Sequence, residues 1–437
     1  MEIIADGKRV LRFMILFLCY LWLGILSVVT ILYLFLESST LGWLIAMFYP
    51  SIAPMLFILV VGCGFIIIRF SFLSKKREIF LVSIVCTFIF IGMILPYAAI
   101  PLGISDAESQ MQEVYGELYD NLDTTGMKQV PYSLYDDLYG LSIDGTTYSV
   151  QYDIPYLDNG DDTLYFDWYC PVGEGPFPVI ITIHGGAWVI GNKGFSNIPL
   201  FNHYFASKGY AIFDIQYGLF DPDTLPEDQS TALSSFANLG FDISPNYNRS
   251  YTMEAQIENV GEFTKVLELN RSKYKADIDH VFVAGRSAGG HLASLVTLGY
   301  KNPLYEGNFS TGMKIEGGIW YYPVTNVTRG SSGLFDALVK GDLPIEDQYT
   351  KLFAANLITN SSVVPPIMIL HGSKDGLADY ETQGLSFYEY ALSLGDKCIL
   401  VTIPWAGHGF DYDFNGFGGQ ISTYYVERFM ALELLED

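Results

Sequence analysis

Three long apolar runs open the chain, at about 10–36, 43–68 and 79–104. Each exceeds the roughly 20 residues that a helix needs to cross a bilayer, and in lipid only a helix satisfies every backbone polar group within the segment. Pro50, Pro54, Pro96 and Pro101 fall inside or at the ends of these runs, where they kink or end a helix. The pattern then changes. Residues 105–145 are acidic and tyrosine-rich without strand periodicity, and read as a linker or cap with some helix. From 146 onward the period shortens. Segments 146–154 and 164–169 alternate apolar and polar positions, as half-buried antiparallel strands do. Segments 178–183, 210–215, 281–284, 317–322, 367–370 and 399–403 are short and nearly all apolar, which suits strands covered on both faces. Asp214 interrupts one of them and predicts that this strand ends near it. Helical stretches lie between, notably 251–265 and 288–298. Alternating strands and helices predict an α/β protein. The expectation is a doubly wound, mostly parallel eight-stranded sheet preceded by three transmembrane helices, with ligands at the carboxyl ends of the strands. The predicted division is a membrane region over 1–104, a linker or cap over 105–145 and a catalytic-sized domain over 146–437.

Composition supports that division. Mean hydropathy is +0.26 with only 16% charged and 15% aromatic residues, a mixture that fits membrane segments joined to a folded domain. The net charge of −24 is unevenly placed: up to residue 103 there are seven Lys/Arg against four Asp/Glu, leaving 17 against 44 for the rest. So acidic a domain does not suit nucleic acid, which requires clustered Lys/Arg to displace counterions. Basic residues also predict orientation. Lys8, Arg9 and Arg12 precede the first run, Arg69, Lys75, Lys76 and Arg77 lie between the second and third, and the intervening loop at 37–40 carries none. The positive-inside rule then puts the amino terminus in the cytoplasm and the catalytic domain on the extracytoplasmic side. The first run is too long for a signal peptide and lacks a small-residue cleavage site, so it is expected to be retained. Five N-x-Ser/Thr sequons begin at Asn248, Asn270, Asn308, Asn326 and Asn360, and carry little weight. Two cysteines outside the apolar runs, Cys170 and Cys398, do not make a disulfide framework.

Four segments carry candidate chemistry. Gly285-Arg286-Ser287-Ala288-Gly289 joins an apolar strand to a helix. Its glycines permit a sharp turn that lifts the Ser287 hydroxyl, and the N–H of Ala288 at the helix start points toward an oxyanion formed there. His184-Gly185-Gly186 follows the strand at 178–183, and its glycines free backbone N–H groups to stabilise a tetrahedral intermediate. Asp375 and His408 each lie in a loop after a late apolar strand. A histidine there takes the serine proton and returns it to the leaving group, and an acid on its other nitrogen fixes the tautomer. Asp379 is the alternative acid. His371, His184 and His291 are read as structural. Trp188 and Arg286 are candidates for the substrate pocket. Arg286 is otherwise read as a surface residue pointing away, with an acid of the cap or an anionic substrate group as its possible partners. No Cys/His/Asp cluster has metal-ligand spacing and no phosphate-cradling loop is present, so neither a metal nor another cofactor is inferred.

Together these segments resemble the α/β-hydrolase superfamily, and within it the esterase/lipase branch with an HGG oxyanion motif, the hormone-sensitive-lipase-like and related carboxylesterases. The resemblance covers about 146–437. It implies Ser287 as nucleophile, His408 as general base, Asp375 as orienting acid, and the Gly185, Gly186 and Ala288 N–H groups as oxyanion hole. The chain departs from the branch at Arg286, where many members have an acid, at Ala187, where many have a third glycine, and at 216–219, where Gln-Tyr-Gly-Leu replaces a common tyrosine-arginine-leucine. The implied function is a membrane-anchored serine carboxylesterase or lipase that forms an acyl-enzyme from a small-molecule or lipid ester. The alternatives are a peptidase on the same fold, although no blade repeats supply the propeller such enzymes often carry, and a non-catalytic adhesion module, which commonly lacks one of the three residues. Transfer to an alcohol instead of water is invisible in sequence. Phe195 and the segments 236–251 and 327–359 are lid or acyl-pocket candidates.

Overall fold

The structure is a computed structural model. It describes the chain apart from residues 1, 37–39, 71–74, 161, 196–197, 222–224, 226, 228–250, 331–332, 340–343, 359–363 and 437. The lid candidate 236–251 therefore lies outside the described residues except for Tyr251, as do the sequons at Asn248 and Asn360. The chain forms two compact units. One holds residues 1–103 together with 372–377 and 403–410, and the other holds 104–371, 378–402 and 411–437.

In the first unit, helices α1 (Glu2–Phe35), α2 (Thr40–Phe70) and the first part of α3 (Lys75–Tyr115) are each long and apolar enough to cross a membrane. Many of their apolar side chains are exposed, among them Phe13, Phe17, Met55, Ile58, Phe65 and Phe80, as expected of a lipid-facing surface. Their facing sides bury a smaller cluster that includes Leu23, Tyr33, Tyr49, Ala53, Ile67 and Ile89. Pro50 and Pro54 lie within α2, and Pro96 and Pro101 within α3.

The second unit is built on a sheet of eight strands: β1 (Tyr148–Asp158), β2 (Thr163–Pro171), β3 (Phe177–Ile183), β4 (Ala211–Ile215), β5 (Ala276–Arg286), β6 (Ile315–Tyr321), β7 (Ile367–Gly372) and β8 (Cys398–Ile403). Their spatial order is β1-β2-β4-β3-β5-β6-β7-β8. The two amino-terminal strands pair antiparallel, β2 pairs antiparallel with β4, and β4-β3-β5-β6-β7 run parallel. Strands β4, β6 and β7 are buried along their whole length, which is why their sequences read as apolar runs rather than alternations. The remaining helices are α4 (Glu117–Asp120), α5 (Leu134–Tyr139), α6 (Ile198–Ser207), α7 (Met253–Leu269), α8 (Ala288–Gly299), α9 (Gly333–Leu338), α10 (Ile345–Leu352), α11 (Ser386–Ser393) and α12 (Phe417–Glu433). The lid candidate 327–359 thus contributes α9 and α10.

The strand that carries Asp214 ends one residue past it, near where its sequence predicts: β4 closes at Ile215, with Asp214 fully buried. Its Oδ2 accepts bonds from the Gly194 N–H at 2.8 Å and from Asn202 Nδ2 at 3.1 Å, which offset part of the burial cost. Burial still pushes its carboxyl up to about 7. The segment after the third apolar run, read as a linker or cap with some helix, carries two short helices. Helix α3 runs on to Tyr115, and residues 104–145 pack on α12: Tyr115 donates to Glu433, the Lys128 N–H donates to Glu427, and Arg428 donates to the Lys128 carbonyl.

The sheet edges are finished differently. Strand β1 shows register shifts between Gln151 and Ile154 and between Pro155 and Leu157, with Asp153 at φ 57°. At β8 the carboxamide of Gln110 accepts from the Leu400 N–H at 2.7 Å and donates to the Leu400 carbonyl at 3.0 Å.

Candidate active site

Ser287 stands between the end of β5 and the start of α8 with φ 55° and ψ −118°. A positive φ on a residue with a Cβ costs about 1–3 kcal/mol and persists only where surrounding structure imposes it. The surrounding structure here is close backbone packing. A Cβ on Gly289 would sit 2.3 Å from the carbonyl oxygens of Ile183 and His184, and one on Gly285 would sit 2.1 Å from the Gly289 oxygen. The Ser287 N–H donates to the Tyr321 carbonyl at 3.0 Å, and its own carbonyl accepts the first helical bond from His291 at 2.9 Å. The hydroxyl is thereby held at a rigid junction rather than on a mobile loop.

The glycines after β3 lie beside it. A Cβ on Gly185 would be 3.3 Å from the Ser287 Cβ and 2.8 Å from the Arg286 oxygen. Gly186, at φ 119°, has the Ile190 carbonyl 1.9 Å from where a Cβ would be, so no other residue fits. Two more left-handed residues follow, Ala187 and Trp188. Neutral His184 stiffens this loop: its ring stacks on Tyr217 at 4.2 Å, its Nδ1 donates to the Gly185 oxygen at 2.7 Å, and the Tyr217 hydroxyl donates to the His184 carbonyl at 3.0 Å. Burial pulls the pKa of His184 down to about 4, so it stays uncharged. Tyr217 lies within the Gln-Tyr-Gly-Leu segment at 216–219, and its role was not legible in the sequence.

In the unit that contains the three long apolar helices, His408 Nδ1 bonds to Asp375 Oδ2 at 2.8 Å, with both side chains buried. Asp375 Oδ1 accepts the Leu377 N–H at 2.9 Å. The two loops are laced by further bonds: Ser373 N–H to the Ile403 oxygen at 3.0 Å, Lys374 N–H to the Ala406 oxygen at 2.8 Å, and Trp405 N–H to Ser373 Oγ at 2.8 Å. A carboxylate on Nδ1 fixes the imidazole tautomer and leaves the lone pair on Nε2. The competing acid, Asp379, is exposed and caps Thr382 through its backbone N–H and hydroxyl.

The two pocket candidates are core residues. Trp188 is 2% exposed; its Nε1 donates to His291 Nδ1 at 3.2 Å and its carbonyl accepts from Gln256 at 2.9 Å. His291, whose Nε2 donates to the Leu352 oxygen at 2.9 Å, is also buried and its pKa is pulled down to about 4 by that burial. Arg286 is not a surface residue pointing away. It is buried, its Nε donates to Asp411 at 2.7 Å, and its guanidinium lies over the rings of Tyr321 at 4.3 Å and Phe201 at 4.9 Å. Asp411 also accepts the Tyr322 hydroxyl at 2.7 Å. Alternation explains the difference: at the end of a buried parallel strand both faces are covered, so the residue before the serine has no solvent side to take. His371 is structural as expected, its Nε2 donating to the Ala378 oxygen at 2.8 Å. All five cysteines are free.

The sequence matches the BD-FAE family over residues 166–230 and 227–389, more than half of the chain. The chain belongs to the BD-FAE family. Curated relatives similar to this BD-FAE member are "Probable carboxylic ester hydrolase LipM" and "Esterase LipQ", both from Mycobacterium tuberculosis. Each is 25% identical and is matched over 59% of this chain, and over 56% and 57% of its own length respectively. The chain thus spans little more than half of those relatives. Among solved structures, esterase B from Lactobacillus rhamnosis in its tributyrin phosphonate-inhibited form superposes with a TM-score of 0.52 at 18% identity, covering 77% of this chain and 97% of that one. A second inhibited form of that esterase gives 0.51 at 17% identity. These likenesses show the α/β-hydrolase fold.

Proposed function

We propose that this BD-FAE member is a membrane-anchored serine carboxylester hydrolase with Ser287 as nucleophile, His408 as general base and Asp375 as the acid that orients it. The observation that carries the reading is the strained turn at Ser287 with Gly185 against it, the arrangement that acyl transfer at a strand–helix junction requires. The Asp375–His408 bond adds a base with a fixed tautomer, and the esterase names of the mycobacterial relatives favour an ester over a peptide.

In this mechanism His408 Nε2 takes the Ser287 proton as Oγ attacks the ester carbonyl. The N–H groups of Gly185, Gly186 and Ala288 receive the oxyanion, the last of them strengthened by its place at the start of α8. Collapse of the intermediate expels the alcohol, which takes the proton from His408, and leaves an acyl-serine. Water activated by His408 then releases the acid and restores the serine. The three apolar helices anchor the enzyme, with the amino terminus cytoplasmic and the catalytic domain extracytoplasmic, following the basic residues at 8–12 and 69–77.

Ser287→Ala is expected to abolish both fluorophosphonate labelling and hydrolysis of p-nitrophenyl butyrate by the full-length protein in detergent, while the unfolding temperature stays close to wild type because alanine keeps the Cβ and with it the same strained backbone. Retained turnover would refute the assignment.

A further inference from the structure

The apolar helices do more than supply length. Tyr33, near the carboxyl end of α1, is fully buried, and its hydroxyl donates to the Trp405 carbonyl at 2.7 Å, with the two rings 6.3 Å apart. Trp405 is three residues before His408. The glycines on either side of the histidine lie against the start of α2: a Cβ on Gly407 would be 2.8 Å from the Ala46 Cβ, and one on Gly409 would be 3.0 Å from Met47 Cε. Trp405 in turn reaches the acid loop through its N–H to Ser373 and through the Lys374 ammonium, 4.8 Å from its ring. Tyr33 is itself fixed from behind. Its ring packs on Tyr49 at 4.7 Å, whose hydroxyl pairs with Thr30 Oγ1 at 2.9 Å.

We propose that α1 and α2 are part of the catalytic apparatus, and that Tyr33 is a positioning residue that holds the 403–410 loop so that His408 keeps its place on Asp375. The inference rests on the reading of His408 as general base. The physical reason is that a loop bearing two glycines around its histidine has little stiffness of its own, while acid–base catalysis loses rate steeply when the base is displaced by a fraction of an ångström to an ångström. A buried hydroxyl in an apolar helix needs a partner, and the Trp405 carbonyl provides it. Losing that bond frees the loop at one end without touching His408 or Asp375.

The test uses the full chain in detergent, comparing wild type with Tyr33→Phe and, from the second helix, Ala46→Val, which pushes a methyl toward Gly407. Two readouts are taken: the pH profile of kcat and KM for p-nitrophenyl butyrate, and the rate at which diethyl pyrocarbonate modifies His408, followed by mass spectrometry of its peptide. The expected result is a kcat about five- to tenfold lower in Tyr33→Phe with KM within about twofold, a shifted lower limb of the pH profile, and an altered His408 modification rate in both variants. Unchanged kcat, pH profile and His408 modification rate in both variants would overturn the proposal. A changed modification rate in a protein whose wild type does not hydrolyse the ester would support the clamp on His408 while refuting the esterase reading.

Discussion

Replacing Arg286 with methionine removes a buried cation and leaves its carboxylate partner in place. Arg286 and Asp411 are 4% and 1% exposed, the Nε–Oδ2 distance is 2.7 Å, and the guanidinium is sandwiched over Phe201 and Tyr321. Breaking one half of such a pair costs about 3–5 kcal/mol, because the remaining charge is buried without its counter-ion. Methionine keeps most of the apolar contact on the two rings, so the loss is mainly electrostatic. At about 2 °C per kcal/mol for a domain of this size, Arg286→Met should lower the unfolding temperature by roughly 6–10 °C. The double variant Arg286→Met/Asp411→Asn should recover at least half of the loss, since it discharges the buried acid while keeping an acceptor for the Tyr322 hydroxyl. The assay is thermal unfolding of the detergent-solubilised chain, followed by tryptophan fluorescence. A single variant within about 1 kcal/mol of wild type, or a double variant no better than the single, would refute the reasoning that the residue before Ser287 is a buried half of an ion pair.

The acid of the pair with His408 is tested by comparing Asp375→Asn with Asp379→Asn: the first is expected to lower kcat by several orders of magnitude, through the wrong tautomer at His408, and the second by less than twofold; equal losses would remove the distinction. Stability should depend on pH through groups other than Ser287, Asp375 and His408. Asp214 has its pKa raised to about 7 by burial, with Asp167 adding to the rise and the Gly194 N–H and Lys193 opposing it. Its folded form therefore holds a proton that the unfolded form has lost above about 4, and its contribution to stability declines as pH rises from about 4 to 7. His184 and His291, held near 4 and so below their unfolded value of 6.5, act in the opposite sense, losing stability as pH falls through the same range. Asp214→Asn should thus gain stability at pH 7, converge with wild type near pH 4 and show a steeper acid-side decline; an unchanged slope in thermal unfolding against pH would count against the buried, protonated Asp214.

Much of the architecture was legible because its causes are local. The three long apolar helices follow from run length alone, and the central strands from unbroken apolar segments that only a doubly covered sheet tolerates. The turn around Ser287 was legible because backbone crowding there admits nothing larger than glycine at 285 and 289. What the sequence did not disclose depends on partners far along the chain. The burial of Asp214 was hidden because the bonds that make it tolerable come from Gly194 and Asn202. Arg286 looked exposed because its partner, Asp411, lies 125 residues away. The role of Tyr33 was hidden for the same reason: one hydroxyl in an apolar run carries no periodic signal, and its acceptor is 372 residues downstream.

The finish of the two sheet edges bears on how the protein behaves in concentrated solution. An outer strand with free backbone groups invites a strand from another molecule. On β1 the two register shifts, Pro155 and the left-handed Asp153 break the straight run of donors and acceptors that such pairing needs. On β8 the Gln110 carboxamide occupies the N–H and the carbonyl of Leu400 as a neighbouring strand would. Self-association after detergent removal should therefore proceed through the greasy helical surface and stay reversible on adding detergent back, without the spectroscopic signature of intermolecular β structure.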